Sequence, residues 1–133
     1  MIEIVVRMLP PVEFSPNWRG HWGKRYRAGK DYKAAVGWCA KEAMQKHPDK
    51  SRFPFGKVEL ELLFIVAEER VRDADNWLAR QKAGQDALVE VGLIAKDDSE
   101  HLTVKSIKFE VDRKRAPATV IRVTEVGEDK KIL

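Results

Sequence analysis

The sequence predicts an α+β fold, a single mixed β-sheet with two helices in the order β-α-β-α-β-β. Two patterns indicate it. Residues 57–66 alternate apolar and acidic side chains, which is typical of a strand with one buried face. Between residues 79 and 91, alanines and a valine recur at a spacing of four, which is typical of the core face of a helix. A single domain is expected over residues 1–126.

The first half of the chain is expected to hold one strand and one helix. Residues 2–8 are mostly β-branched and apolar, so they predict a strand, and the Pro10-Pro11 pair ends it because proline cannot donate to a strand ladder. A loop is expected from Val12 to about Gly29. From Asp31 the apolar residues follow a helical period, with Asp31 as the N-cap and His47-Pro48 as the stop.

The second half begins with the strand over residues 57–66, which leads into the second helix. That helix is expected to run from about Asp75 to Val91 and to end at Gly92, a residue type favoured just past a helix end. Gly84 in its interior weakens its helical propensity.

Two further strands are predicted near the end of the chain, over residues 102–111 and 118–126. We expect residues 112–117 to join them as a hairpin. The apolar alternation shifts between Val104 and Ile107, which indicates a β-bulge. Residues 127–133 are short and charged, and we expect them to form a flexible tail.

The composition is that of a soluble globular protein with a heavily charged surface, since 44% of the residues are hydrophobic and 35% are charged. No apolar run approaches the roughly 18 residues that a membrane span needs. Glu3 and Arg7 interrupt what would be the apolar part of a signal peptide, so a cytoplasmic protein without a membrane partner is expected. The net charge of +4 favours an anionic partner only weakly, because 21 acidic residues offset 25 basic ones.

A basic segment with interleaved aromatic residues lies between positions 17 and 33. Its basic residues are Arg19, Lys24, Arg25, Arg27, Lys30 and Lys33. Its aromatic residues are Trp18, Trp22, Tyr26 and Tyr32. Such a segment is typical of a DNA-binding surface, because cations neutralise phosphates while exposed rings stack on bases. The alternative is a solvated charged loop whose aromatic residues pack on the core, which we favour for Trp18 and Tyr32.

A second basic group is expected at the tip of the predicted hairpin. It consists of Arg113, Lys114 and Arg115. We expect this group to make a further contact with DNA phosphates.

Acidic residues bracket the second predicted helix, as Asp73-x-Asp75-Asn76 at its start and Asp97-Asp98-Ser99 after its end. Oxygen donors of this kind are the ligands that Mg²⁺ or Mn²⁺ prefers. Each group also has an ordinary explanation, as a helix N-cap and as a polar turn. Packed carboxylates repel each other unless a cation or a proton relieves them, so the two groups together favour a metal site.

Lys82 and Asp86 follow Asp75 by seven and eleven residues, which returns them to nearly the same face of a continuous helix. A lysine near the metal would orient an attacking water or stabilise negative charge on a leaving oxygen. The alternative is an exposed lysine that is paired with Asp86.

These residues together resemble the RusA family of Holliday-junction resolvases, which are endodeoxyribonucleases common in phages and prophages. The resemblance covers most of the chain in element order, and its informative core is Arg72 to Glu100. It rests on Asp73-x-Asp75-Asn76, Asp86-Ala87-Leu88, Gly92-Leu93-Ile94 and Asp97-Asp98-Ser99. It implies a homodimer that resolves four-way junctions, a form of branched DNA, by paired symmetric nicks during DNA recombination and repair.

By the family pattern, Asp73, Asp75 and Asp98 would be the catalytic metal ligands, with Asp97 beside them. The cofactor would be Mg²⁺, with Mn²⁺ as an alternative. The family usually has a catalytic lysine four residues after the second aspartate, where this chain has Ala79. Lys82 is the nearest counterpart when the chain is aligned backward from Asp86, and Arg80 is a weaker candidate.

Two alternatives to an endonuclease stay open. One is a catalytically impaired protein that binds branched nucleic acid and has lost activity with the displaced lysine. The other is a protein with ordinary acidic turns and no metal. Zinc is not expected, because His21, His47 and His101 lack ligand spacing. No glycine-rich phosphate loop is visible, so no nucleotide cofactor is expected.

Overall fold

The computed structural model describes residues 1–126, and the expected tail at 127–133 lies outside that range. The α+β prediction is confirmed, since one four-stranded mixed sheet packs against helices. The strands are β1 (Ile2–Val6), β2 (Val58–Val66), β3 (Leu102–Val111) and β4 (Ala118–Glu125). The helices are α1 (Trp22–Gln45), α2 (Ala74–Arg80) and α3 (Lys82–Glu90), with short 3₁₀ turns at Val12–Phe14 and Lys50–Arg52.

The strand order in the sheet is β1-β4-β2-β3. β2 and β3 are parallel, and β4 is antiparallel to both of its neighbours. The predicted hairpin of β3 and β4 is therefore wrong, because β2 lies between these two strands. β4 is buried at every position from Ala118 to Ile121, as a central strand requires. In β3 only Leu102 is buried and the other residues are partly buried or exposed, which suits an edge. The predicted bulge is confirmed by a register shift at Leu60/Glu61, where Lys105 is skipped.

The main core lies between the helices and one face of the sheet. Leu60, Leu62 and Phe64 of β2 are fully buried there together with Tyr32 of α1 and Leu88 of α3. Successive residues of a strand point to opposite faces, so Ile65, Ala118 and Val120 form a smaller buried cluster on the other face. No helix within residues 1–126 is long and apolar enough to cross a membrane.

The first helix begins at Trp22, so the predicted loop up to Gly29 and the N-cap at Asp31 are wrong. The true N-cap is His21, whose Nδ1 accepts a hydrogen bond from the Gly23 N–H at 3.0 Å. A Cβ on Gly29 would lie 2.5 Å from the Phe14 ring, so glycine is required where the 3₁₀ turn packs on the helix. The first turns expose their rings instead of burying an apolar stripe, which is why periodicity did not reveal them.

The predicted helix from Asp75 to Val91 is two helices, with a break at Gln81. Gln81 is fully buried, and its Oε1 accepts a hydrogen bond from the Tyr32 hydroxyl at 2.6 Å. This hydrogen bond offsets the cost of burying Oε1, whereas Nε2 of the same amide has no hydrogen-bond partner within residues 1–126. The predicted stop is confirmed, since α3 ends at Glu90 and Gly92 adopts a left-handed φ of 83°.

Candidate active site

Three aromatic rings fix α2 against the sheet. Trp77 of α2 lies 4.9 Å from Phe64 of β2 and 5.2 Å from Phe109 of β3, measured between ring centroids. Trp77 is buried, so these contacts anchor the first turns of the short helix. Because Asp75 comes two residues before Trp77, the same contacts determine where its carboxylate lies.

Asp73 is the N-cap of α2, which is the role that the metal-free interpretation of the sequence assigned to this group. Its Oδ1 accepts a hydrogen bond from the Asp75 N–H at 2.9 Å. The segment before it is held by Arg72, whose guanidinium donates to the carbonyls of Glu68 and Arg70 at 2.7 and 3.1 Å. The cap leaves the second carboxylate oxygen of Asp73 available for another contact.

Asp75 faces a cleft of about 540 Å³, which we call the Asp75 cleft. Three charged side chains from three helices meet at it: Arg25 of α1, Asp75 of α2 and Lys82 of α3. The other lining residues are Phe14, Leu78, Ala79 and Gln85. Asp75 and Lys82 line the same cleft, but they do so from two different helices and not from one face of a continuous helix as the sequence predicted.

Lys82 makes two ion pairs. Its Nζ lies 2.9 Å from Asp86 Oδ1 and 2.9 Å from Asp97 Oδ2. Hydrogen bonds to Asp97 and Asp86 raise the pKa of Lys82, and the bond from Lys82 lowers the pKa of Asp97. Lys82 is thus positively charged at neutral pH, which suits a group that stabilises negative charge and not a general base.

Asp98 is engaged by its own turn. Its Oδ1 lies 2.5 Å from His101 Nδ1 and accepts hydrogen bonds from the backbone N–H groups of Glu100 and His101 at 3.1 Å. The bond from His101 is the main cause of a lowered Asp98 pKa. Asp97-Asp98-Ser99 thus forms a polar turn, as the metal-free interpretation of the sequence predicted.

The predicted metal ligands are only partly brought together. Lys82 links Asp97 to the Asp75 cleft, whereas Asp73 and Asp98 are bonded within their own segments. Among residues 1–126, no three Asp, Glu, His or Cys side chains lie close enough to hold a metal ion. The donor chemistry still suits Mg²⁺, because all four predicted ligands are carboxylates.

Ala79 lines the Asp75 cleft at the position where the RusA pattern has a lysine, and its methyl group leaves room there. Arg80 points elsewhere, since its guanidinium donates to the Pro10 carbonyl at 2.7 and 3.2 Å and lies 3.9 Å from the centroid of the Trp77 ring. Burial lowers the pKa of Arg80. Of the two candidate cations, Lys82 is the one at the cleft.

Arg25 gains a specific place that the sequence did not reveal. Its Nε donates to the Glu13 carbonyl at 3.2 Å, and its Cζ lies 4.4 Å from the centroid of the Phe14 ring. Both contacts come from the 3₁₀ turn before α1, and they hold the guanidinium at the wall of the Asp75 cleft. In the sequence, Arg25 is one of six similar basic residues, so no local signal distinguished it.

The remaining predicted DNA contacts lie on exposed surfaces. Arg19, Lys24, Arg27 and Lys30 are exposed at or before the first three turns of α1. Arg113, Lys114 and Arg115 are exposed in the turn between β3 and β4, where Asp112 Oδ1 accepts from the Lys114 N–H at 3.0 Å. The Asp112 N–H donates to Val66 O at 2.9 Å, which ties this turn to the end of β2.

A scan against protein-family models and a search of curated proteins each found no match for this chain. The resemblance to the RusA family therefore rests on the motif residues given above.

Proposed function

We propose that this protein is a Mg²⁺-dependent, structure-selective endonuclease of the RusA type, which resolves Holliday junctions by paired symmetric nicks. The observation that carries the proposal is the Asp75 cleft, where a carboxylate and two anchored cations from three helices meet. An acidic group for a metal beside cations for phosphate is the arrangement that phosphodiester cleavage needs.

Asp73, Asp75 and Asp98 would hold the metal ion, with Asp97 beside them. When bound, Mg²⁺ or Mn²⁺ would lower the pKa of a water and neutralise charge on the phosphate. Asp98 is half exposed and Asp97 about one-third exposed, so both side chains have room to rotate. On metal binding, Asp98 would break its hydrogen bond to His101. Asp97 would either bind the metal and Lys82 together or break its ion pair with Lys82.

The cations of the cleft have separate roles in this proposal. Lys82 is held at the cleft by Asp86 and Asp97, and its raised pKa keeps it charged while negative charge develops on the departing oxygen. Arg25 is fixed by Glu13 and Phe14, so it offers a preorganised guanidinium to a non-bridging phosphate oxygen.

The carboxylates of Asp73, Asp75, Asp97 and Asp98 repel phosphate, so most of the binding would come from the surrounding basic surfaces. The exposed first turns of α1 and the turn at residues 113–115 provide these surfaces. Two coordinated cuts on a two-fold symmetric junction require a two-fold symmetric protein, so the active species is a homodimer. We place this activity in the cytoplasm, in the recombination and repair of DNA that includes phage or prophage DNA.

The test uses a labelled four-way junction and its separate linear arms, each incubated with Mg²⁺ or with EDTA. We expect paired nicks on the junction alone, only with Mg²⁺, and none with Asp75→Asn. Mg²⁺ should also raise the melting temperature of the wild type by mass action and not that of Asp75→Asn. Asp31→Asn, the same chemical change at an exposed position of α1, is the matched control for the melting experiment. Metal-independent cutting, or nicks that persist in Asp75→Asn, would contradict the proposal.

A second candidate is a catalytically impaired protein that binds branched nucleic acid. It is favoured by Ala79 at the position of the family lysine, together with the double ion pair that engages Lys82. This candidate predicts tight junction binding with EDTA present, steep weakening with salt, and no nicks in either metal. The cleavage assay and a binding assay on the same junction separate the two candidates.

A further inference from the structure

The outer surface of α1 carries a row of side chains that begins in the first turns proposed above to bind DNA and extends well beyond them. Trp22, Tyr26, Lys30, Ala34 and Trp38 follow each other at a spacing of four, so they form one ridge that winds about 160° around the helix at about 100° per residue. The ridge is about 24 Å long at 1.5 Å per residue. We call this row the aromatic ridge.

The three rings of the aromatic ridge are unusually open to solvent. Trp22 is 74% exposed, Tyr26 63% and Trp38 68%. By contrast, Tyr32 on the core-facing side of the same helix is fully buried. Large rings that are exposed along one surface mark a site where another molecule binds.

Positive charge flanks the aromatic ridge on both sides. Lys33 and Lys41 lie three residues after Lys30 and Trp38, and Arg27 lies three residues before Lys30. Over the whole of α1 there are six basic residues and two acidic ones. The ridge therefore presents apolar rings among more basic than acidic side chains, although Glu42 continues the row four residues after Trp38. This excess of positive charge complements a polyanion with exposed apolar faces.

A groove between α1 and α3 continues this surface beside Trp38. Its volume is about 380 Å³, and it is lined by Lys30, Lys33, Trp38, Lys41, Glu90 and Val91, among others. Lys33 is paired with Glu90 across it. A second groove of about 450 Å³ shares Lys41 and Val91 with the first and adds Lys50. Lysines thus follow the ridge well beyond the basic segment at positions 17–33.

We propose that the aromatic ridge binds single-stranded DNA, with bases stacked on Trp38, Tyr26 and Trp22 and phosphates at Lys30 and Lys41. A single strand is favoured over a duplex because the faces of paired bases are already stacked on one another. The cations on both sides favour DNA over an apolar peptide or a second copy of this chain. The inference goes beyond the proposed function, since it needs neither a metal ion nor a branch point.

The experiment measures fluorescence anisotropy of a labelled oligothymidine of about 16 nucleotides with the full chain, in low salt with EDTA. We expect Trp38→Leu to weaken binding on the order of tenfold and Trp38→Phe to weaken it less, because phenylalanine keeps a ring for stacking. Lys41→Gln should lower the slope of log Kd against log salt by about 0.7. Lys105→Gln, an exposed lysine on β3, is the matched control and should bind like the wild type.

Three results would overturn the inference: no binding of the oligothymidine in low salt, wild-type affinity in Trp38→Leu, or tighter binding of the matching duplex. Sedimentation of the same variants shows whether Trp38 instead contacts a second copy, in which case Trp38→Leu would change the oligomeric state and leave DNA affinity unchanged. Junction cleavage is scored separately through Asp75→Asn, so failure of the aromatic ridge and failure of the proposed nuclease are distinguishable.

Discussion

The Lys82 ammonium donates a hydrogen bond to Asp97 Oδ2 at 2.9 Å, which links the first residue of α3 to the loop before β3. The same ammonium donates to Asp86 at 2.9 Å. A metal ion bound at Asp97 would compete with Lys82 for this carboxylate, so the state of the pair and the affinity for metal are linked.

Lys82→Gln should destabilise the protein by less than about 1 kcal/mol near neutral pH, because both partners are partly exposed. The pKa of Asp97 is lowered in the folded state, so its stabilisation is present above the unfolded pKa of about 3.9 and is lost as pH falls through the lower folded value. The difference from wild type should therefore decrease as pH falls through the lowered folded pKa of Asp97. Urea unfolding at about pH 7 and about pH 2 measures the difference in unfolding free energy, with Lys105→Gln as the control. A difference that is equally large in acid would show that the Lys82–Asp97 ion pair is not its source.

Trp77→Ala should lower the free energy of unfolding by about 3–5 kcal/mol, because Trp77 is buried against Phe64 and Phe109. Trp38→Ala makes the same change at an exposed position and should cost less than about 0.5 kcal/mol. Urea denaturation of the two variants measures both values. Equal losses would mean that the aromatic cluster does not anchor α2.

Tyr32→Phe should destabilise the protein by about 1–3 kcal/mol, because it leaves the buried Oε1 of Gln81 without its donor. Tyr26→Phe removes the same hydroxyl from an exposed ring and should have almost no effect. Thermal unfolding of both variants tests the difference. Adding Gln81→Leu to Tyr32→Phe should cost less than the sum of the single changes, and strict additivity would argue against this bond.

Arg25→Gln should weaken binding of a four-way junction and lower the slope of log Kd against log salt by about 0.9, the value for one lost contact with a duplex phosphate. Arg122→Gln is the matched control, because Arg122 lies on β4 and is paired with Glu3 at 2.8 Å. Electrophoretic mobility shifts over a range of salt concentrations measure both slopes. Equal slopes of log Kd against log salt in the two variants would show that Arg25 does not contact a DNA phosphate.

Local patterns were sufficient to predict β2, the bulge opposite Leu60 and Glu61, and the stop at His47-Pro48, because each depends on neighbours in sequence. The break at Gln81 was out of reach, since Tyr32 lies 49 residues from Gln81 and 87 residues from Thr119, the other residue near its hydroxyl. The strand order was equally out of reach, because the short connection between β3 and β4 favours a hairpin until the burial of β4 on both faces is known.

The candidate site also has residues that local sequence predicted and features that depend on contacts between distant segments. Asp75, Lys82 and Asp97 were selected from spacing and resemblance, and the contacts around Lys82 bring them into one region. Arg25 was predicted only as one of six basic residues of a DNA-binding segment, and its position at the cleft could not be predicted, because that position depends on Glu13 and Phe14 in a segment that was expected to be a loop. Metal binding by the carboxylates remains a prediction, since it depends on side-chain rotation at Asp97 and Asp98.

The insertion of β4 between β1 and β2 has a consequence for how a newly made chain acquires this fold. The register partners of β1 belong to β4, with Ile2 opposite Val123, so among the four strands of this sheet the one synthesised first pairs with the one synthesised last. Contacts between residues so far apart in sequence are slow to form. During synthesis β2 and β3 can pair early, but the sheet closes only after residue 125 emerges, and until then the edge of β2 that receives β4 is open to pairing with other chains.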